Sequence, residues 1–584
     1  MIGREHSHRI ALAAVGFVQG VILWRLSEWG PRTPTVAALL TAAAVSTLVA
    51  GLALQFAWTG ERHARLIAIA AALAGVFGAI GWWVWIQVPE KTITYAGDAF
   101  RQGTFPPAAF LALYVLTPFL QIFQATGRAR FPYVDLFRHS WNNAFIGTLA
   151  GLFTGLYWAL IELWAALFDM LGIAWFKNVF HSDPFRFLTL ATVFGFGIAL
   201  AKENDAVIGT LRRITLAFFR ILMPFLSLIA LLFLATLPLT GLAPLWATKA
   251  ASPLLLSLLI LTIVFINAVF QDGSGERPYP TWLRRGVEVT LLAMPIFAGL
   301  SLYSISLRVA QYGLMPERFY VVLFAIIVGL YGLGYATAVL RRGSEWLGLM
   351  RSVNLWMSLV VAAIALLLHT PVLDPLAWSA ANQYRRLVDQ RVPPAQFDFA
   401  AMRFKLGAVG FETLQRLKTA AGHPQAEVVR TKVEDTERLT RYVAPDVLTI
   451  TLLAEHLQVV GLPEGVPGGL VDFLNKDALD YVVRKCVSGR DCVIFPVDVD
   501  GDSSPEYALL PSHFFYSLYV FGRSPSGWRR VGEYTLRRCA FPAGLGRDDV
   551  VAAIRRGEVT APSLPAVAIA KWRFAPTADC PPDP

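Results

Sequence analysis

The sequence predicts an α-helical polytopic membrane protein that ends in a small α+β domain. First, the 584 residues are 55% hydrophobic and only 16% charged, whereas soluble domains carry about 25% charged residues. Second, up to His369 nearly every stretch of about 20 residues is apolar and long enough to cross a hydrocarbon core, and no stretch after Asp374 is. Third, short runs rich in β-branched and aromatic residues, separated by Gly, Pro and Asp turns, follow only after Pro445.

Eleven transmembrane helices are predicted in residues 1–369. The first begins with a basic stub, but it has no A-x-A cleavage motif and is followed at once by further spans, so we interpret it as an uncleaved helix. The eleven predicted spans are residues 10–27, 35–59, 65–88, 108–126, 142–168, 185–201, 214–239, 252–271, 287–309, 318–340 and 346–369.

The distribution of Lys and Arg predicts the orientation. With a cytoplasmic N-terminus, the inner ends and loops hold seventeen of these residues and the outer ones nine, as the positive-inside rule requires. An odd number of spans then places the C-terminal part outside the cytoplasm. The formal net charge of +10 lies entirely in residues 1–369, so it indicates topology and contact with anionic lipids, and argues against nucleic-acid binding.

All four cysteines lie in the part that is predicted to be outside, where an oxidising compartment permits disulfides. Four cysteines allow three pairings, and the sequence does not choose among them. Cys486 with Cys492 is the favoured pair because these residues bracket a turn-like VSGRD segment; buried free thiols are the alternative. The four candidates are Cys486, Cys492, Cys539 and Cys580.

A series of motifs follows in order between residues 130 and 418. They are W-N-N at Trp141–Asn143, ALFDMLGI at Ala166–Ile173, LPLTGLAPLW at Leu237–Trp246, RVAQYGLMPERF at Arg308–Phe319, GLGYA at Gly332–Ala336, QYRRL at Gln383–Leu387 and QFDFAAMRFKLGAVG at Gln396–Gly410. In these motifs the sequence resembles the bacterial polytopic membrane protein family catalogued as domain of unknown function 4153. The resemblance implies a multi-spanning protein of the inner membrane. It transfers no catalytic residue, because the family name states no activity.

Two polar pairs in or beside the spans are candidate sites. Glu162 and Asp169 are seven residues apart, so they lie on one helical face about 10 Å apart, and an intramembrane carboxylate suggests a proton relay or cation site. Arg308 and Arg318 flank a short outer turn and suggest a partner carboxylate or a lipid headgroup. The alternatives are a surface ion pair for Glu162 and a salt-bridged turn for the arginines.

The chain after the last span divides into two parts. Residues 370–441 are predicted to form juxtamembrane helices and a linker, with a helix break at Val392–Pro394 and Asp398 as the cap of the second helix. Residues 442–584 are predicted to form the extracytoplasmic α+β domain. Its expected strands are VLTITLLA, CVIFPVDV, EYALLP, FFYSLYVFG and GWRRVGEYTLRR, and its expected helices are DALDYVVRKC and DDVVAAIRRG.

An acidic loop between two of these strands is a candidate calcium site. Its acids stand at relative positions 1, 3, 5 and 9 and would supply the oxygen ligands that calcium prefers. The resemblance to D-x-D-G-D calcium loops is incomplete, because there is one copy and Ser503 occupies a position where Gly is usual. The alternative is a solvated turn whose acids bond the local backbone. The four acids are Asp498, Asp500, Asp502 and Glu506.

No phosphate loop, H-E-x-x-H motif or G-x-S-x-G elbow occurs in the chain, so the sequence does not favour an enzyme. Two functions remain. The first is a non-enzymatic envelope or signalling protein whose bundle anchors an external domain that binds a protein or glycan partner. The second is a transporter or channel with a path near Glu162.

Overall fold

We describe the fold from a computed structural model. The chain forms two compact units, one of residues 1–394 and 402–435 and one of residues 395–401 and 436–584. The structure describes residues 2–30, 33–59, 63–87, 96–242, 251–273, 278–341, 346–419, 423–439, 442, 457–463, 465–476, 492–499, 501–502, 504–511, 517–524, 527–535, 547–559, 567–569 and 572–574.

Eleven helices of the first unit are long and apolar enough to cross a membrane, which confirms the predicted helical bundle. A short helix, α6 (Trp175–Phe180), stands between two of them. The eleven are α1 (Ile2–Glu28), α2 (Pro34–Ala57), α3 (His63–Ile86), α4 (Ala96–Thr126), α5 (Tyr133–Met170), α7 (Asp183–Glu203), α8 (Asp205–Thr240), α9 (Ala251–Phe270), α10 (Thr281–Tyr312), α11 (Pro316–Leu340) and α12 (Met350–Leu367).

Several of these helices extend beyond the predicted spans. Helix α4 begins at Ala96, whereas the predicted span begins at residue 108, and α5 begins at Tyr133 rather than at residue 142. The extensions carry polar and charged residues, because a helix continues through the interface after its apolar stretch has ended. Pro106 and Pro107 lie within α4, as membrane helices tolerate.

A polar network joins four helices at the largest core cluster of the bundle. The Asn354 side-chain amide donates to the Tyr133 hydroxyl at 2.8 Å and to Asn267 Oδ1 at 2.6 Å. The Asn267 amide donates to the Tyr335 hydroxyl at 2.7 Å, and that hydroxyl donates to Asn354 Oδ1 at 2.6 Å. Asn267 therefore serves as interhelical hydrogen-bonding glue, as such residues commonly do in membrane bundles.

Four helices follow the last span. They are α13 (Pro375–Val388), α14 (Phe399–Phe404), α15 (Gly407–Lys418) and α16 (Ala426–Arg438), with a 3₁₀ turn at Pro394–Gln396. Asp398 accepts a hydrogen bond from the Ala401 N–H at 2.8 Å, which confirms its predicted role as a cap. The second predicted helix is wrong as a single element: Gly407, with φ +63°, divides it into α14 and α15.

The C-terminal unit contains a five-stranded sheet in the order β1-β2-β3-β4-β5. Strand β1 pairs parallel to β2, and the other neighbours pair antiparallel. Two short strands, β6 and β7, form a hairpin. The strands are β1 (Leu457–Val459), β2 (Cys492–Val497), β3 (Glu506–Leu510), β4 (Ser517–Ser524), β5 (Gly527–Thr535), β6 (Val567–Ile569) and β7 (Trp572–Phe574).

Two helices belong to this unit, α17 (Leu470–Lys476) and α18 (Arg547–Arg555). Strands β2 to β5 and helix α18 lie where the sequence predicts them. Strand β1 and α17 were not predicted, and the predicted elements VLTITLLA and DALDYVVRKC lie outside the described residues. The unit thus combines a small sheet with helices.

Candidate functional site

A buried ion pair joins the start of helix α4 to the segment that follows the last span. Arg101 Nη2 donates to Asp374 Oδ2 at 2.9 Å, and both side chains are 3% exposed. Two charges withdrawn from water this fully are costly unless their geometry is good and their remaining groups are bonded. Among the described residues, Nε and Nη1 of Arg101 have no hydrogen-bond partner, so the buried guanidinium depends on its contact with Asp374.

Asp374 has a second role as the N-cap of helix α13. Its Oδ1 accepts a hydrogen bond from the Leu376 N–H at 2.9 Å, and Pro375 occupies the first helical turn. The D-P-L sequence thus encodes a cap followed by a proline that is pre-organised for a helix. One carboxylate both starts α13 and ties it to α4.

A second carboxylate, that of Asp98, lies one helical turn before Arg101 and is 4% exposed. The favourable groups around it are the Arg101 guanidinium and the Ala408 N–H in the first turn of α15. Among the described residues, neither of its oxygens has a partner at full hydrogen-bonding geometry. Asp98 is thus a buried acid with unused acceptor capacity.

Glycines let the backbones of α4 and α15 meet at this point. A Cβ on Gly97 would lie 2.4 Å from the Gly407 nitrogen, and a Cβ on Gly407 would lie 2.3 Å from Asp98 Oδ1. Gly407 also has φ +63°, a conformation that side chains disfavour. The position therefore requires glycine for its conformation and for the close approach.

His369 completes the set, which we call the buried ionic cluster: Asp98, Arg101, His369 and Asp374. His369 Nε2 lies 3.1 Å from Thr104 Oγ1, and its Nδ1 lies 3.1 Å from the Ala365 carbonyl oxygen. Burial lowers the pKa of the His369 imidazole; the Ala365 carbonyl acts in the opposite direction and the Arg101 charge in the same one.

The cluster holds two carboxylates and one guanidinium. Burial raises the pKa of the Asp374 carboxyl above its ordinary value, although the Arg101 charge and the N–H groups of Leu376 and Ala377 act against this. One arginine balances only one of the two carboxylate charges, so Asp98 and Asp374 repel each other when both are ionised. The geometry fits a structural clasp whose strength depends on protonation.

Helix α13 is held on the bundle at a second place by the QYRRL motif. The Gln383 amide donates to the Tyr312 and Leu314 carbonyls at 3.1 and 3.2 Å. Arg386 donates to the Val309 carbonyl at 3.2 Å and to the Gln311 carbonyl at 2.9 Å. These side chains bond carbonyl groups at the C-terminus of α10 and in the turn that follows it, where a helix has few backbone partners to offer.

The two candidate arginines flank this same turn. Arg318 donates to the Gly313 carbonyl at 2.7 Å, and its guanidinium lies 5.4 Å from the Tyr312 ring centroid. Arg308 lies in the last turns of α10 and is half-buried. Arg318 thus bonds the turn's own backbone, which supports the structural interpretation of this pair.

Glu162 and Asp169 both face the segment that contains α6. Glu162 Oε2 lies 3.3 Å from His181 Nε2, and the Glu162 side chain is 41% exposed. Asp169 Oδ2 accepts from Lys177 Nζ at 2.7 Å. Their contacts are those of ion pairs at the end of a helix.

The acids of the calcium candidate bond the backbone of the β2–β3 loop. Asp498 Oδ1 accepts from the Gly501 N–H and Asp502 Oδ1 from the Ser504 N–H, both at 2.7 Å. Glu506 Oε2 accepts from the Val499 N–H at 3.0 Å. Asp500 lies outside the described residues. Within the described part of the loop, no three metal-binding side chains converge, so calcium binding stays a prediction.

Cys492 opens strand β2 and is disulfide-bonded. Its partner is outside the described residues, as are Cys486, Cys539 and Cys580. The preferred pairing with Cys486 therefore stays a prediction.

Sequence reasoning missed the buried ionic cluster. Hydropathy assigned Asp98 and Arg101 to an outer loop, because charged residues lower the average below that of a span. Asp374 followed by proline was the available signal, since it marks a helix start, but nothing in the sequence indicates its partner 273 positions away. The buried ionic cluster can be recognised only when the packing of the helices is known.

Comparison with known proteins gives one family match. A family model described as Domain of unknown function (DUF4153) matches residues 10–417. No curated protein and no solved structure gives a significant match to the chain. The matched residues include most of α1, all of α2 to α14 and α15 up to Leu417, and so all four members of the buried ionic cluster.

Proposed function

Because the chain belongs to the family described as Domain of unknown function (DUF4153), whose description names no activity, we propose its function from its own geometry. It is a non-enzymatic envelope or signalling protein. Its membrane bundle anchors an external domain that binds a protein or glycan partner. The observation that carries the proposal is the Arg101–Asp374 pair, which fastens the chain after the last span to the bundle.

The attachment of α13 supports the anchoring role. Asp374 is fixed to α4, and Gln383 and Arg386 are fixed to the carbonyl end of α10. The first helix after the last span is thus held at its start and in its C-terminal half. A flexible linker would need neither contact. A segment that connects a binding domain to a membrane anchor is expected to be fixed to that anchor.

The proposed topology places the N-terminus in the cytoplasm of a bacterial cell and the C-terminal unit outside its inner membrane. The excess of Lys and Arg on the inner loops and the odd number of candidate spans support this orientation. The disulfide at Cys492 fits the oxidising compartment that the orientation requires.

A deletion strain that is complemented with three variants tests the proposal. The first variant ends at residue 441, the second carries Glu162→Gln, and the third carries Arg101→Met. The measurement is growth under detergent and osmotic stress, with membrane levels of each variant checked by immunoblotting.

An anchor loses function when residues 442–584 are removed, tolerates Glu162→Gln and is weakened by Arg101→Met. A transporter with a path near Glu162 gives the opposite ranking: it fails with Glu162→Gln and retains part of its activity without the C-terminal unit. That ranking at equal membrane levels would overturn the proposal.

A further inference from the structure

A cavity of about 300 Å³ opens among the ends of α5, α8 and α9 and is lined by four arginines and one aspartate. Among the residues that the structure describes, no other charged side chain lines it. The charged lining residues are Arg138, Arg212, Arg213, Arg220 and Asp272. By the proposed topology, this end of the bundle faces the cytoplasm. The cavity therefore concentrates positive charge at a membrane interface, where an anion is the complementary ligand.

Three of the arginines bond neutral groups. Arg212 donates to Asn142 Oδ1 at 2.8 Å, Arg213 to Thr210 Oγ1 at 3.2 Å and Arg220 to the Pro278 carbonyl at 2.8 Å. These bonds orient the guanidinium groups without cancelling their charges. Each guanidinium has five N–H donors, so donors remain for phosphate oxygens.

Arg138 is the fourth arginine and has a carboxylate partner, Asp135, at 3.1 Å. The charges of Arg138 and Arg213 repel the Arg212 guanidinium, and those of Asp205 and Asp272 attract it. The acids reduce the positive potential, but arginines still outnumber acids in the lining. The lining therefore keeps a net positive charge, which favours an anionic ligand over a zwitterionic one.

An apolar groove of about 630 Å³ continues from Arg220 along helices α8 and α10. Arg220 lines both cavities, and the groove extends along α8 to Leu231. Eleven residues of helix correspond to about 16 Å, a length that suits much of an acyl chain. Phe225 and Leu228 lie along the groove, and Trp282 stands at its interfacial end.

We propose that the arginine cavity and this groove together bind one anionic phospholipid. The phosphate contacts Arg212, Arg213 and Arg220, and one acyl chain lies between α8 and α10. Charge complementarity selects an anionic headgroup, and the continuity of the cavity with the groove selects a lipid rather than a soluble phosphate. Bulk bilayer contact explains neither the converging arginines nor the groove.

Native mass spectrometry of the delipidated full-length protein tests the proposal. The protein is titrated in neutral detergent with phosphatidylglycerol or phosphatidylcholine of identical acyl chains. We expect one phosphatidylglycerol to be retained preferentially. We expect Arg212→Gln with Arg213→Gln to weaken that retention roughly tenfold or more. Arg128→Gln with Arg130→Gln is the control, because both residues are exposed and lie outside the cavity.

The groove is tested separately by Gly286→Leu. A Cβ on Gly286 meets nothing within 4 Å, so the substitution adds an apolar side chain to the lining of the groove without a close contact at its Cβ, and it improves helix propensity. Gly299→Leu on the same helix is the matched control, because its site is also open and lies outside the groove. We expect only Gly286→Leu to reduce retention of phosphatidylglycerol.

Three results would overturn the proposal. The first is equal retention of the two lipids by the wild-type protein. The second is an equal loss in the cavity variant and the Arg128/Arg130 control, which would indicate general surface charge. The third is displacement of phosphatidylglycerol by millimolar glycerol 3-phosphate, which would make the site one for a soluble phosphate.

Discussion

Arg101 Nη2 lies 2.9 Å from Asp374 Oδ2, although 273 positions separate the two residues in the chain. The pair connects the fourth membrane-spanning helix with the cap of the first helix after the last span. Because water reaches neither side chain to any extent, the attraction is screened little by salt. Because Asp374 follows the last span, the contact can form only after all eleven spans have been synthesised.

Removing one member of this pair leaves the other charge buried without a partner. We expect Arg101→Met to lower the free energy of unfolding by about 3–5 kcal/mol, as for other buried pairs. The measurement is thermal unfolding of the purified full-length protein in detergent. Arg25→Gln breaks an exposed pair with Glu28 and is the control, with an expected effect below about 1 kcal/mol.

Asp374→Asn separates charge from capping, because asparagine is also a good N-cap. A double change, Arg101→Met with Asp374→Asn, removes both charges and is expected to recover part of the stability lost by Arg101→Met alone. Equal unfolding temperatures for Arg101→Met and Arg25→Gln would contradict a structural role for the pair.

Protonation of His369 should weaken the protein in mild acid. Burial lowers the pKa of His369, so the unfolded chain, with a His pKa of about 6.5, binds the proton more readily than the folded chain. Stability from this group is present above that value and is lost as the pH falls towards the folded pKa. We expect His369→Gln to flatten the unfolding temperature profile below pH 6.5.

The same substitution at the exposed His63 is the matched control for the pH series. Asp374 contributes with the opposite sign, because burial raises its pKa, so the folded state binds the proton more readily and low pH favours it. For this reason the informative quantity is the difference between His369→Gln and wild type at each pH. A constant difference from pH 7.5 to pH 5 would refute the prediction.

Gly407→Ala tests the close contact between α4 and α15. The substitution places a methyl group 2.3 Å from Asp98 Oδ1 and forces alanine to adopt φ +63°. We expect it to destabilise the protein by about 1–3 kcal/mol. Gly209→Ala in α8 meets open space in a helix, so the same change there should be neutral or stabilising by up to about 1 kcal/mol. Chemical denaturation of both variants gives the comparison.

Calcium binding by the acidic loop has a defined thermodynamic signature. A site with a Kd of about 10⁻⁴–10⁻³ M would stabilise the C-terminal unit by about 1.4–2.7 kcal/mol at about 10 mM calcium. We expect the unfolding temperature of the full-length protein to rise with calcium and to return to its original value with excess chelator. Magnesium at the same concentration controls for ionic strength.

Asparagine substitutions distinguish calcium binding from turn formation. Asp498→Asn with Asp502→Asn keeps the side-chain oxygens that accept from Gly501 and Ser504, but removes two charges. It should abolish the calcium shift while leaving stability in chelator nearly unchanged. An unfolding temperature that ignores calcium in the wild-type protein would leave these acids with their turn-forming role alone.

The number of spans was predictable because each membrane helix needs about 20 apolar residues in one run. The ends of the helices were not predictable, as the start of α4 at Ala96 shows. Hydropathy indicates which residues lie in the hydrocarbon core, whereas a helix can continue beyond the core into polar sequence. The strands around Cys492 and Glu506 were predictable because turn residues delimit their β-branched runs. The division of the predicted helix at Gly407 was not predictable, because a glycine in the sequence does not by itself indicate a positive φ.

The site was less accessible to sequence reasoning than the fold. Glu162 drew attention as a lone acid among apolar residues, and its contact with His181 lies at the surface end of the helix. Asp98 and Arg101 looked like loop residues, yet they are among the most buried charged groups that the structure describes. Burial depends on which helices come together, and neither periodicity nor composition carries that information.

The amide network around Asn354 bears on how the protein is made. Asn354 contacts Tyr133, Asn267 and Tyr335 at once, and it belongs to the last helix to leave the ribosome among the eleven. Until that helix is inserted, the polar groups of the three earlier helices must be shielded by water or by the insertion machinery. The hydrogen-bond network of the bundle is therefore complete only when α12 has been inserted and Asn354 is in place.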